Sequence, residues 1–330
     1  MNVLQKIMLA TTVAVAASSG GIGCVHATEA AGFPSKPLRF VVPFPAGGAT
    51  DTLARALAQE LSASWKQPVI VENRTGANGN IGVAAALEAE PDGYTIFMAS
   101  TSTLATNPAL YKNLPYDPAK DIAPIALLTK VPNVLVVKPS FPANNVTELV
   151  DLARAKSGGY TYASPGSGNL SHLSGELFKK DAGVNLVHVP YKGDAAATVD
   201  LIGGHVDTMF LIGISALPRV KEGQLKALAV TSSNRIPSLP DVPTMEELGY
   251  PGFNTEAWFG IATSSKVPAD IVNTINEATV RILQTKEFQD RLNTLGGITE
   301  LMSAQQFANF VDKERQKWKK VVNETGATVD

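Results

Sequence analysis

An α/β fold of two lobes, joined by two crossover segments with a cleft between them, is predicted by three features of the sequence. Short runs of apolar β-forming residues alternate with amphipathic helical stretches, the pattern of a parallel sheet covered by helices. That alternation restarts after Pro132. The last part of the chain carries helices without a comparable set of strands, so their apolar faces must be buried against an earlier lobe. With 330 residues the chain exceeds the ~250–300 at which a single core stops growing.

In order, "LRFVVPF" (38–44) reads as a strand. After Gly47 and Gly48, Leu53, Leu57 and Leu61 recur at the spacing of a helix packed on a sheet. "PVIVEN" (68–73) is the next strand, "GANGNIGVAAALEA" a Gly-rich turn into a helix, and "YTIFMAS" (94–100) a third strand. From Asn133 the theme repeats as five strands and four helices: "NVLVV", "GYTYAS", "VNLVHV", "VDTMF" and "LKALAV", with helices between them. "EAWFGIAT" (256–263) is a single extended run. "PADIVNTINEATVRIL" follows with Pro268 near a helix start, and "SAQQFANFVDKERQKWKKVV" opens on the capping-box pair Ser303 and Gln306. These readings place residues 34–131 and 255–330 in a discontinuous first lobe and residues 132–254 in a second, with crossings near Leu128–Pro132 and Tyr250–Trp258. Two crossings form a hinge.

The first residues differ from the rest. Lys6 precedes "IMLATTVAVAA", too short to span a bilayer and followed by small residues, as in a secretory signal. "VHA" at 25–27 is a cleavage site, so residues 1–27 are expected to leave. The rival is a lipoprotein signal through Cys24, ranked second because Gly21 stands where a larger aliphatic residue is usual. Cys24 is the only cysteine, and its removal leaves no thiol for disulfides, metal binding or catalysis. A formal net charge of −2 with 18% charged residues gives no electrostatic reason for a nucleic-acid partner.

In open α/β sheets ligands sit beyond the carboxyl ends of strands, where helices begin. Pro45–Asp51, Ser164–Ser171 and Tyr191–Ala195 are such places. Each combines glycines with the unpaired amides and positive dipole end of a helix, a setting suited to an anion, above all a carboxylate. Asp51 and Asn169 could equally serve as simple helix caps. Neither G-x-G-x-x-G nor the phosphate loop motif is present, which argues against a nucleotide. Ser167 lacks the flanking glycines of a nucleophile elbow. Ser171 and His172 are neighbours on one helix and point apart, and His188 reads as a partly covered strand residue. His205 and Asp207 lack the further ligands a metal site needs. No cofactor and no metal are expected.

The stretches "VVPFPAGGATDTLARALA", "VENRTGANGNIG", "DGYTIFMASTSTLATNPALY", "YASPGSGNLSHLSGELFK", "VPYKGDAAATVDLIGGHVD", "LKALAVTSSNRIPSLPDVPTMEELGYPGF" and "EAWFGI" together resemble the Bug-type, or TctC-like, substrate-binding receptors of tripartite tricarboxylate transporters. The resemblance spans essentially the whole chain after the leader. It implies a periplasmic-binding-protein-like fold, a monomer whose lobes close over a small carboxylate and present it to membrane permease subunits. By the same resemblance, the ligand residues are Phe44, Ala46, Gly47 and Asp51, then Ser100 and Thr103, from the first lobe. From the second they are Ser167, Gly168 and Ser171, with Gly193, Asp194 and Ala195. An exported hydrolase using the same cleft and a receptor serving a sensor kinase are the alternatives.

Two further expectations concern ligand chemistry. Many relatives follow the strand written here as "VDTMF" with an acidic or amide residue, whereas this chain has Phe210, Leu211, Ile212 and Gly213. A more apolar distal pocket follows, favouring an aromatic or aliphatic acid over an amino acid or citrate. Lys192 is the only cation within the predicted loops, so recognition is expected to rest on amides and dipoles rather than on an arginine.

Overall fold

The computed structural model describes residues 32–294 and 296–329. The expected leader and Cys24 lie outside them. Among the described residues no helix is long and apolar enough to cross a membrane.

The strands are β1 (Leu38–Val42), β2 (Val69–Asn73), β3 (Thr95–Ser100), β4 (Ile122–Val137), β5 (Tyr160–Ser164), β6 (Leu186–Pro190), β7 (Thr208–Ile212), β8 (Lys226–Val230) and β9 (Glu256–Ser264). β1 runs parallel to β2 on one side and β3 on the other, and β9 closes antiparallel against β3. The first part of β4, through Pro132, pairs with β9. From Asn133 onward the same strand pairs antiparallel with β7 and, on its other edge, with β8. β5 lies parallel between β7 and β6. One long strand therefore belongs to both sheets, which gives the two-lobe architecture of periplasmic binding proteins.

Here the structure corrects the sequence reading. The crossing expected near Leu128–Pro132 lies inside β4, which begins eleven residues before the predicted strand at Asn133. Pro132 reads as a break because proline cannot donate to a ladder. The strand accommodates Pro124 at a register shift between Pro124 and Ala126, where strict pairing with β9 lapses.

The helices are α1 (Ala49–Trp65), α2 (Asn80–Leu87), α3 (Asn107–Leu110), α4 (Val146–Ala155), α5 (Leu170–Ala182), α6 (Asp194–Gly203), α7 (Gly213–Lys221), α8 (Ala269–Leu283), α9 (Lys286–Thr294) and α10 (Ala304–Thr325). The Leu53, Leu57, Leu61 stripe of α1 is fully covered in a cluster with Phe40, Met98, Ile275 and Ile282. Phe307, Val311 and Trp318 of α10 bury against Phe97, Leu104 and Trp258. The terminal helices thus pack on the first sheet, as their lack of strands requires. Two more clusters lie on the faces of the second sheet, around Phe178 and Phe210 and around Met209 and Leu211. The capping box of Ser303 and Gln306 forms at the start of α10. Sequence reasoning did not anticipate α9 or the π-helical turn over Ser102–Thr106.

Candidate ligand-binding cleft

The carboxyl ends of six strands open on a common cavity of about 740 Å³. One wall is built from the first sheet: Phe44, Pro45, Gly47, Gly48 and Thr50 after β1, Asn78 after β2, and Ser100 to Ser102 after β3. The opposite wall comes from the second sheet: Pro165 and Asn169 to Ser171 after β5, Gly193 to Ala195 and Thr198 after β6, and Ile212, Ile214, Ser215 and Arg219 after β7. Asn133 of β4 and Ala257, Trp258 and Phe259 of β9 complete the lining.

The β1–α1 loop is held by Asp51. Its buried carboxylate accepts hydrogen bonds from the Gly47 N–H (2.9 Å), Arg55 Nε (2.9 Å) and Asn73 Nδ2 (2.9 Å). Burial alone would favour the neutral acid, but the donors from Arg55, Gly47 and Asn73 hold its pKa below the usual carboxylate value. Gly47 adopts φ +78°, a left-handed turn open to glycine. That turn brings Gly47 N–H back onto Asp51, while Gly48, in extended conformation, caps α1 without any side-chain bond.

Across the cleft, Asn169 caps α5 by accepting from the His172 N–H (3.0 Å). Ser171 lies in the first turn of α5. It is 6% exposed, and its Oγ is the one buried side-chain polar atom without a hydrogen-bond partner among the described residues. His172, its sequence neighbour, points elsewhere: Nδ1 accepts from the Gly168 N–H (3.0 Å), and the ring stacks on His188 at a centroid distance of 4.0 Å. Ser171 and His172 form no pair; the Ser–His hydrogen bond in this region joins Ser164 Oγ and His188 Nε2 (2.7 Å). Asp207 accepts from the Thr161 N–H and Oγ1 and so fixes a strand end rather than a ligand site.

Of the expected site residues, Phe44, Gly47, Ser100, Ser171, Gly193, Asp194 and Ala195 line the cavity. Ala46, Asp51, Thr103, Ser167 and Gly168 do not. Asp51 stands behind the loop it shapes. Thr103 is buried, with its hydroxyl bonded around Ser100. Ser167 and Ala46 are exposed, and Gly168 is buried with its N–H spent on His172.

Several lining residues were missed. Asn78, at φ +51°, donates to Asn107 Oδ1 (2.8 Å) within a network that continues through Asn80 to Tyr116. The Gly-rich "GANGN" turn, already recognised as a strand-to-helix junction, was the signal available for it. Trp258 is positioned by N–H donation to Thr101 Oγ1 (2.8 Å) and by its indole N–H to the buried Glu314 (3.2 Å). Arg219 is the least expected of them, since the lining was read as free of arginine.

Residues 53–327 match the family model described as the tripartite tricarboxylate transporter family receptor. The chain is a member of this receptor family. It is 36% identical to Protein BugT of Bordetella pertussis over 296 residues, 89% of this chain and 91% of the relative. Among solved structures it is similar to R. palustris Rpa4515 with adipate, at 34% identity and TM-score 0.82, covering 90% of this chain and 99% of that one. It is also similar to MatC from Rhodopseudomonas palustris with bound malate, at 34% identity and TM-score 0.77, covering 88% and 100%. This receptor is a solute-binding protein, not an enzyme.

In the receptor's cleft the charged groups are few. Asp194, first residue of α6, has its carboxyl pKa raised by burial, with Arg219 pulling partly the other way. Arg219 lies in the last turn of α7, yet its Nη1 donates back to the Ser215 carbonyl (2.7 Å). Helical side chains lean toward the N-terminus, which brings a late arginine to the strand-end cavity. Phe210 and Leu211, expected to make the distal pocket apolar, are buried in separate core clusters instead, because successive strand residues face opposite sides of the sheet. Ile212 alone from that stretch meets the cavity, joined by Ile214 just beyond it.

Proposed function

We propose that the receptor closes its lobes over a small organic carboxylate and delivers it to the membrane subunits of a tripartite tricarboxylate-type transporter. The observation that carries this reading is the Ser171 hydroxyl, buried and unpaired at the start of α5, across the cavity from the bare N-terminus of α1. An unsatisfied buried hydroxyl is unfavourable by about 1–3 kcal/mol and is retained where a ligand supplies its partner. The helix starts provide amides and positive dipole ends on both sides. Adipate and malate in the two similar structures are ligands of that chemical kind.

Magnitudes require both walls. One helix end gives an anion about 0.3–1 kcal/mol, up to ~2 when partly buried, whereas micromolar affinity needs about 8 kcal/mol. Hydrogen bonds to a charged group contribute roughly 1.5–3 kcal/mol each, so four or five donors drawn from both lobes reach that range after ordering costs. Closure is the step that gathers them.

The lobe boundaries assigned from the sequence, 34–131 with 255–330 and 132–254, fit this scheme. The change of pairing partner at Pro132–Asn133 within β4 supports the first boundary. A buried network ties the hinge: the Asn133 N–H donates to Thr231 Oγ1 (2.9 Å), and Ser174 Oγ donates to Thr255 Oγ1 (2.8 Å). The family's receptors are periplasmic, and with a leader at residues 1–27 this reading has the receptor work there as a monomer.

Thermal-shift screening of mono-, di- and tricarboxylates, aromatic acids and amino acids tests the proposal, since a ligand that binds only the folded receptor raises its apparent stability. At least one carboxylate is expected to raise the melting temperature in a concentration-dependent way. No shift with any carboxylate, for a correctly folded sample, would contradict it.

A further inference from the structure

The second-sheet wall of the cleft holds one acid and one arginine that no side chain satisfies. Asp194 opens α6, but its carboxylate accepts no hydrogen bond among the described residues. Asp194 is half-buried in the cavity wall, where burial raises its carboxyl pKa and the field of Arg219 partly offsets the rise. The Arg219 guanidinium donates to the Ser215 carbonyl and forms no ion pair among the described residues, leaving further N–H donors toward the cavity that both residues line. Two half-buried groups of opposite sign on one wall, neither held by another side chain among the described residues, make a pattern for a ligand to complete.

We propose that Asp194 and Arg219 are the specificity-determining residues of the cleft, with Asp194 receiving an ammonium group, so that the preferred ligand is an amino acid rather than its deamino analogue. This rests on the receptor function above and names its ligand class. A plain acid bound at the helix starts brings a negative charge toward Asp194 and leaves its carboxylate without a donor. An ammonium group beside the ligand carboxylate supplies three donors and the opposite charge. The Arg219 field favours the charged form of Asp194 against the burial that raises its pKa, and the guanidinium offers its remaining N–H groups to an acceptor on the ligand side chain. Ile212, Ile214 and Phe259 border the same cavity and receive the carbon skeleton. The selectivity expected from the Phe210–Gly213 stretch alone is thereby reversed.

Calorimetric titration of the intact receptor with matched pairs, aspartate and succinate, glutamate and glutarate, leucine and 4-methylpentanoate, tests the assignment. In the pairs that bind, the amino acid is expected to bind at least tenfold more tightly, and Asp194→Asn to remove most of that preference while leaving the deamino acid little affected. Arg219→Gln is expected to weaken aspartate or glutamate more than leucine. Deamino acids binding as tightly as their partners, or Asp194→Asn weakening both members of a pair equally, would overturn the assignment. So would a panel in which only acids without an amino group bind, although the receptor function would then stand. No binding by any carboxylate would overturn both.

Discussion

At the residue scale, the cleft separates side chains that shape it from side chains poised to bind. Asp51 shapes: removing its carboxylate in Asp51→Ala leaves the Gly47 N–H without its side-chain acceptor and takes one acceptor from Asn73 Nδ2 and from Arg55, which keep the Phe44 carbonyl and Asn73 Oδ1 respectively. A loss of about 1–3 kcal/mol of stability is expected by urea unfolding, together with weaker ligand binding. Ser171 is the converse. Ser171→Ala deletes a hydroxyl that has no partner, so unliganded stability should hold or rise slightly while carboxylate affinity falls by roughly tenfold. His172 and His188 give the pH dependence. Desolvation is the main cause that holds both imidazoles neutral, His188 down to about 4, with each ring facing the other and Glu176 and Lys179 nearby. Between the ordinary value of 6.5 and about 4, the unfolded chain binds a proton that the folded His188 refuses. Stability therefore declines as pH falls through that window and is fully present above it. His188→Asn should flatten this part of a melting-temperature profile measured against pH.

At the scale of elements, α5 joins the ligand wall to the second sheet through a close contact. Gly175 faces the Tyr162 ring so tightly that an added Cβ would fall 2.2 Å from Cε2. Gly175→Ala should push α5 away from β5, disturb the Tyr162, His188, His172 stack and reduce stability by about 1–3 kcal/mol in denaturant titration, with a parallel loss of binding. The helices were legible in the sequence where periodicity and caps agree, as in α1 and α10. α9 was not, because "KEFQDRLNT" is dominated by polar residues and buries only Phe288 and Leu292. The β1–α1, β5–α5 and β6–α6 loops were legible because glycines at strand ends announce close backbone approach. Arg219 was hidden by its position: a basic residue in a last helical turn reads as a favourable partner for the dipole, and only the backward lean of the side chain reveals the cavity it serves.

On the scale of the whole molecule, the two sheets share β4, and β9 lies beside it at the level where the lobes meet. Ordinary sequence signals announced two lobes and a returning C-terminus, but they could not show that a strand containing prolines runs unbroken from one sheet into the other. Binding through donors on facing walls requires the walls to approach. The radius of gyration measured by small-angle X-ray scattering should accordingly decrease on saturation with a carboxylate ligand.

The most direct measurement is a crystal structure of the receptor with its tightest-binding carboxylate. The carboxylate is expected between the starts of α1 and α5, with the Ser171 hydroxyl and backbone amides from both walls within about 2.7–3.2 Å of its oxygens. An acid bound outside this cavity, or held by one wall with Ser171 still unpaired, would contradict the site described.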